Sequence, residues 1–143
     1  TVLALARDYG AKTVQEDGQT NIQLSLTKAK MVTKMYNATG LLVLSADIPL
    51  LTKRDIELML ALAQKPPILV MAPDLHGKGT NAICVNPADA MEFSVGSDSF
   101  QKNYDVATRL GIRVATCKLT TLGLDLDNPD DMDLLRQTQA LQV

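Results

Sequence analysis

The sequence contains no tryptophan and a single histidine, His76, and aromatic residues make up only 3% of its 143 positions. With so few rings, the core has to be built from Leu, Ile, Val, Met and Ala. One lone histidine excludes a zinc centre, which would need further His or Cys ligands nearby. There are two cysteines, Cys84 and Cys117. Both fall in alternating apolar segments and read as buried thiols of a reducing cytosol, not as a disulfide or a reactive pair. No run reaches the roughly 18 apolar residues of a membrane span, and no signal-peptide pattern opens the chain. The expectation is a cytoplasmic protein with no membrane partner. A net charge of −2 argues against a nucleic-acid partner, since duplex binding wants a basic face. It leaves room for small phosphorylated ligands. Repeats, linkers and low-complexity stretches are also missing.

What is present is ordinary for a globular chain: 46% hydrophobic and 21% charged residues. The length fits one domain, 1–143, large enough to bury a core without staples. The chain opens on T-V-L-A-L-A-R-D-Y-G, already inside a helical pattern and without a cap, so the domain is expected to be incomplete at its N-terminus. Gly10 closes that helix, and residues 11–15 read as a short strand before a turn at 16–18. Apolar residues at Ile22, Leu26, Ala29, Met31, Val32 and Met35 repeat near 3.6, which predicts a helix from 20 or 21 to about 36. L-L-V-L-S-A at 41–46 is a continuous apolar run, as in strands of a parallel sheet covered on both faces. Thr52, with Asp55 three residues on, predicts a capped helix with Ile56, Met59, Leu60 and Ala63 inward, halted at Pro66-Pro67. Strands at 68–72, 81–85 and 112–119, a short helix at 87–91, a helix at 99–110 behind Ser97-Asp98, and a last helix capped by Asn128 complete the chain. Strands alternating with helices imply an α/β fold with a mostly parallel sheet, helices on both faces and one hairpin at 68–85.

Four polar places in this frame can carry chemistry. Asp47, in S-A-D-I-P-L-L, lies just past an apolar strand, where open α/β sheets bind their ligands. Asp125 and Asp127, in L-D-L-D-N-P-D-D, are two apart, so on an extended segment both face one side while Leu124 and Leu126 face the core. Paired carboxylates repel unless a cation lies between them, and Mg²⁺ commonly binds one or two carboxylates together with substrate phosphates. The third place is P-D-L-H-G-K-G-T-N-A-I at 73–83. It is no Walker A loop, because Gly77 and Gly79 flank Lys78 and a strand, not a helix, follows. It reads as a glycine-rich turn whose backbone N–H groups, with the Thr80 hydroxyl and Lys78, can hold a phosphate or carboxylate. A second polar turn, F-S-V-G-S-D-S-F at 93–100, leads into a helix N-terminus, either as an anion site or as ordinary capping.

In order, S-A-D-I-P-L-L, P-D-x-x-G-x-G-T-N-A, F-x-x-G-x-x-S-F and L-D-L-D-x-P-x-D resemble the 2-phospho-L-lactate guanylyltransferase family, over about Ala11 to Met132. The resemblance implies a three-layer α/β/α nucleotidyltransferase fold of the GT-A, Rossmann-like kind. It also implies an enzyme of deazaflavin coenzyme (F-420) biosynthesis, transferring GMP from GTP to 2-phospho-L-lactate or phosphoenolpyruvate with release of pyrophosphate. Asp47, Asp125 and Asp127 would then hold Mg²⁺, with Asp47 and Asp127 catalytic. Thr80, Gly96 and Ser99, with Gly79 and Asn81, would bind the phosphorylated acid. Asn21 would belong to the nucleotide pocket, although Gln19-Thr20 stand before it where the family has Gly-Leu. The family's strand and basic loop for the GTP phosphates have no counterpart before Thr1, and a homodimer is implied. The modest Arg content and the Lys and Met usage lean to an archaeal source and so to 2-phospho-L-lactate. Two alternatives stay open: a molybdenum-cofactor-type guanylyltransferase or other transferase of the same fold, and a non-catalytic phospho-ligand-binding module.

Overall fold

The computed structural model describes residues 1–14 and 21–140, which fall into two compact units, Thr1–Ala38 and Thr39–Val143.

The first unit holds α1 (Val2–Asp8) and α2 (Ile22–Met35). Contrary to expectation α1 is capped, since the Thr1 hydroxyl accepts the Ala4 N–H at 3.3 Å. It closes at Gly10, whose N–H reaches the Arg7 carbonyl at 2.8 Å. Residues 11–14 form no strand, and the rest of that segment and the turn at 16–18 lie outside the described residues. Asn21 begins α2: its Oδ1 accepts the N–H groups of Gln23 and Leu24 at 3.0 and 3.4 Å, satisfying donors that a helix start leaves orphaned.

In the second unit, four strands form one sheet in the order β1 (Leu41–Leu44), β3 (Thr80–Asn86), β2 (Ile68–Pro73), β4 (Arg113–Thr116). The pairings β1–β3 and β2–β3 are antiparallel, and β2–β4 is parallel. The expected hairpin is β2–β3, but the expected mostly parallel pairing does not hold. Strands β1, β2 and β4 run the same way, with β3 inserted against them. β1 is therefore an edge strand and only half-buried along its length. An apolar run reports burial but not the direction of the neighbouring strand, which is why it misled.

Alternation along the central strands serves two faces. Val70, Ala72, Ala82 and Cys84 join Met59 of α3 (Lys53–Leu62), Ala63 at its C-cap and Leu122 of α5 (Thr120–Gly123) in one cluster. Leu69, Met71, Ile83 and Val85 point the other way and are equally enclosed, with α4 (Ser99–Arg109) packed on β2 and β4. Each such side chain contributes roughly 1.5–3 kcal/mol through burial. The α3 stripe is narrower than the periodicity implied, because Leu60 is exposed. Residues 87–91 form a turn, not a helix. Residues 124–126 are irregular and lead into α6 (Pro129–Ala140), capped by Asn128 through the Asp130 and Asp131 N–H groups. Both cysteines are buried free thiols, pushed up from the ordinary thiol pKa by burial and, for Cys117, also by the charge of Asp55. Among the described residues, no helix is long and apolar enough to cross a membrane.

Candidate active site

The strand directions bring the carboxyl ends of β1, β2 and β4 and the start of β3 to one edge of the sheet. Asp47 lies three residues past β1 and is exposed. Its backbone carbonyl accepts the Leu126 N–H at 3.1 Å, which ties the 124–127 segment to the end of β1. The carboxyl of Asp125 is raised above the ordinary aspartate value by burial, and the charges of Asp127 and Asp47 push in the same direction. Its own backbone N–H and the Asn81 side chain oppose that rise. Asp47 and Asp127 are thus each within electrostatic reach of Asp125. The three do not close on a shared point: among the described residues no three His, Cys, Asp or Glu side chains stand grouped to hold a metal. An all-oxygen set with one crowded carboxylate suits a hard cation that takes its remaining ligands from phosphates.

At the start of β3, next in sequence to Asn81, lies a hydroxyl pair. Ser99 Oγ donates to Thr80 Oγ1 at 2.9 Å, and both residues are buried. A hydroxyl pair uses one of its two hydrogens internally, so the other can be donated to a further acceptor. Gly79 backs onto the second turn, with its Cβ position 3.5 Å from the Gly96 carbonyl. Gly96 takes φ +92°, a conformation that side chains disfavour. Thr80, Gly79, Gly96 and Ser99 therefore stand close together.

The turn itself does not behave as an amide cradle. Asp74 Oδ1 accepts the Lys78 N–H at 2.9 Å and Asp74 Oδ2 accepts the Gly79 N–H at 2.7 Å. The Gly77 N–H goes to the Asp74 carbonyl, and the Phe100 N–H goes to the Lys78 carbonyl. The backbone donors assigned to a phosphate are consumed within the protein, which leaves the hydroxyls as the donors. His76 and the Lys78 side chain are exposed on the loop. At the second turn, Asp98 is the N-cap residue of α4 but makes no side-chain capping bond.

Two residues escaped the sequence analysis. Asp74 stands in the quoted P-D pair, and an aspartate four or five residues before a glycine turn was the available signal. Asn103 is the other: its Oδ1 accepts the Ser94 N–H at 2.8 Å and its Nδ2 donates to the Ser94 carbonyl at 2.9 Å. It thereby fixes the strand of chain that carries Gly96. Its only trace in the sequence is a polar position on the buried Ser99–Asn103–Ala107 stripe. Asn81 is buried, and its amide donates to the Leu122 and Gly123 carbonyls at 3.1 Å each. Asn21 belongs to the other unit, as the cap of α2.

The model of a family described as guanylyl transferase, CofC-like, matches residues 1–136. The chain belongs to this family. The resemblance carried by the four motifs is borne out at that level. Among similar proteins, a phosphoenolpyruvate guanylyltransferase of Rubrobacter xylanophilus is 33% identical over 99% of this chain and 68% of its own length. A 3-phospho-D-glycerate guanylyltransferase of Colwellia psychrerythraea is 36% identical over 66% of this chain and 44% of its own. A 2-phospho-L-lactate guanylyltransferase of Methanothermobacter thermautotrophicus is 29% identical over 92% and 57%. This family member thus spans 44% to 68% of the length of these three relatives.

Proposed function

We propose that this protein transfers GMP from GTP to a small phosphorylated acid, as a step toward a deazaflavin coenzyme. The observation that carries the proposal is the approach of Asp125 to both Asp127 and Asp47 at the sheet edge that also holds the Ser99–Thr80 hydroxyl pair. Family membership supports the same chemistry. Phosphoenolpyruvate stands first as acceptor, because the relative of that name matches nearly the whole chain. 2-Phospho-L-lactate and 3-phosphoglycerate follow.

In this reading an oxygen of the acceptor phosphate attacks the α-phosphorus of GTP in line, and the bond from that phosphorus to the β-phosphate bridging oxygen breaks. A P–O–P bond to the acceptor forms and pyrophosphate leaves. The attacking phosphate is already anionic at neutral pH, so no general base is required, in keeping with a chain that offers one exposed histidine. Thr80 donates its hydroxyl hydrogen to the acceptor's phosphate or carboxylate, and Ser99 orients that hydroxyl. Gly79 and Gly96 keep the approach open. Asp47, Asp125 and Asp127 would hold Mg²⁺, which supplies charge neutralisation on the transferring phosphates. Asn21 is assigned to the nucleotide pocket, and a cytoplasmic homodimer belongs to the same reading; these rest on the family resemblance.

The test is pyrophosphate release from GTP by the natural full-length protein with Mg²⁺, against each acceptor separately. Turnover is expected with one of the three, and Asp47→Asn or Asp127→Asn should abolish it while leaving circular dichroism unchanged. No turnover with any acceptor would sink the proposal, and near-normal rates in both variants would remove the metal assignment.

A further inference from the structure

Thr80 and Asn81 are adjacent and both buried, yet they serve different partners. Thr80 meets Ser99 of α4. Asn81 reaches the end of α5, where the Leu122 carbonyl would otherwise lack a partner, as in the last turn of a helix, and where the Gly123 carbonyl also accepts the Leu75 N–H at 3.0 Å. An amide NH₂ has two hydrogens, and both carbonyls lie 3.1 Å from Nδ2. The same side chain is in hydrogen-bonding reach of the Asp125 carboxyl. Asn81 therefore caps α5 from a strand 41 and 42 residues away in sequence. In doing so it sets the direction in which residues 124–127 leave the helix. The Leu126 N–H on the Asp47 carbonyl fixes the other end of that span. Its two amide hydrogens are thus shared among the Leu122 and Gly123 carbonyls and the Asp125 carboxyl, which leaves no donor for an acceptor molecule.

We infer that Asn81 is a positioning residue for the Asp125 carboxylate, and through it for the divalent cation, and that it does not contact the phosphorylated acid. The inference rests on the functional reading above and replaces the assignment of Asn81 to the substrate. It also makes Thr80-Asn81 the joint between the acceptor pocket and the acidic cluster.

In the full-length enzyme, Asn81→Ala should raise the Mg²⁺ concentration for half-maximal rate roughly 10- to 100-fold while the acceptor KM stays within about twofold, as for residues that orient a metal ligand. Mn²⁺ binding followed by electron paramagnetic resonance, with and without a non-hydrolysable GTP analogue, should weaken in parallel. A raised acceptor KM with unchanged Mg²⁺ and Mn²⁺ dependence would put Asn81 against the substrate and overturn the inference. If the substitution unfolds the chain, the wild-type protein decides by NMR. Mn²⁺ should then broaden the Asn81 side-chain amide signals, and phosphoenolpyruvate alone should leave them in place; the reverse pattern, or no broadening, overturns the claim. Absence of wild-type turnover would remove the functional reading separately, and the resonance measurements would still judge the role of Asn81.

Discussion

At the scale of single residues, the acceptor side of the site depends on an aspartate folding back onto its own loop. The Gly79 N–H donates to Asp74 Oδ2 at 2.7 Å, and a Cβ at Gly79 would sit 2.7 Å from that same oxygen. No side chain fits there unless the carboxylate moves. Displacing it frees two amides and loses two hydrogen bonds to a charged acceptor, each worth about 1.5–3 kcal/mol, immediately beside Thr80. Gly79→Ala is therefore expected to raise the acceptor KM about tenfold or more, by the conversion of 1.4 kcal/mol per decade, with a smaller change in kcat. Lys78→Ala in the same loop is expected to leave both constants near wild type, because Lys78 contributes its backbone N–H and carbonyl while its side chain is exposed. Steady-state kinetics with the acceptor varied checks both. A normal KM in Gly79→Ala, or a large effect of Lys78→Ala, would contradict this account of the loop.

Elements were legible to the extent that their signals are local. The Thr52/Asp55 spacing announced a capping box, and the structure has one: Asp55 Oδ2 accepts from the Thr52 N–H and hydroxyl at 2.8 Å each, and Thr52 Oγ1 accepts the Asp55 N–H at 3.3 Å. Asp55 is buried, so its loss removes partners that water replaces poorly. Asp55→Ala should lower stability by about 1–2 kcal/mol, seen as a lower urea midpoint at unchanged slope; an unchanged midpoint would show that α3 is held by Met59 and Ala63 alone. Elsewhere local signals failed for physical reasons. The run at 41–46 could not reveal that its neighbour β3 is antiparallel, because apolarity carries no direction. The inward stripe of α4 includes Ser99 and Asn103, which lack the apolar signature and are satisfied by Thr80 and Ser94. Polar residues become core residues only when such partners arrive, and the Ser99–Thr80 pair is 19 residues apart in sequence.

At the scale of the whole second unit, the order β1-β3-β2-β4 does what no single motif could. It gathers residues near positions 47, 80 and 125 at one edge, although their segments are separated by long stretches of sequence. The motifs named candidate residues; the strand order decides who touches whom, and so puts the Asn81 amide on the end of α5. The gathering has an energetic side. Asp125 is partly buried beside two like charges, an arrangement that stability alone would not favour. Asn has the same shape, keeps an oxygen for the Asp125 backbone N–H and the Asn81 amide, and carries no charge. Asp125→Asn is therefore expected to stabilise the metal-free protein by about 0.5–1 kcal/mol, as relief of a strained functional site commonly does, while abolishing transfer. Mg²⁺ binds the folded state preferentially in this reading, so it should raise the wild-type melting temperature through mass action. The variant should lose most of that response. Thermal melts of both proteins with and without Mg²⁺ test the linkage: a variant less stable than wild type without metal would mean that Asp125 is held for the fold. An equal Mg²⁺ response in both would mean that the cation binds elsewhere.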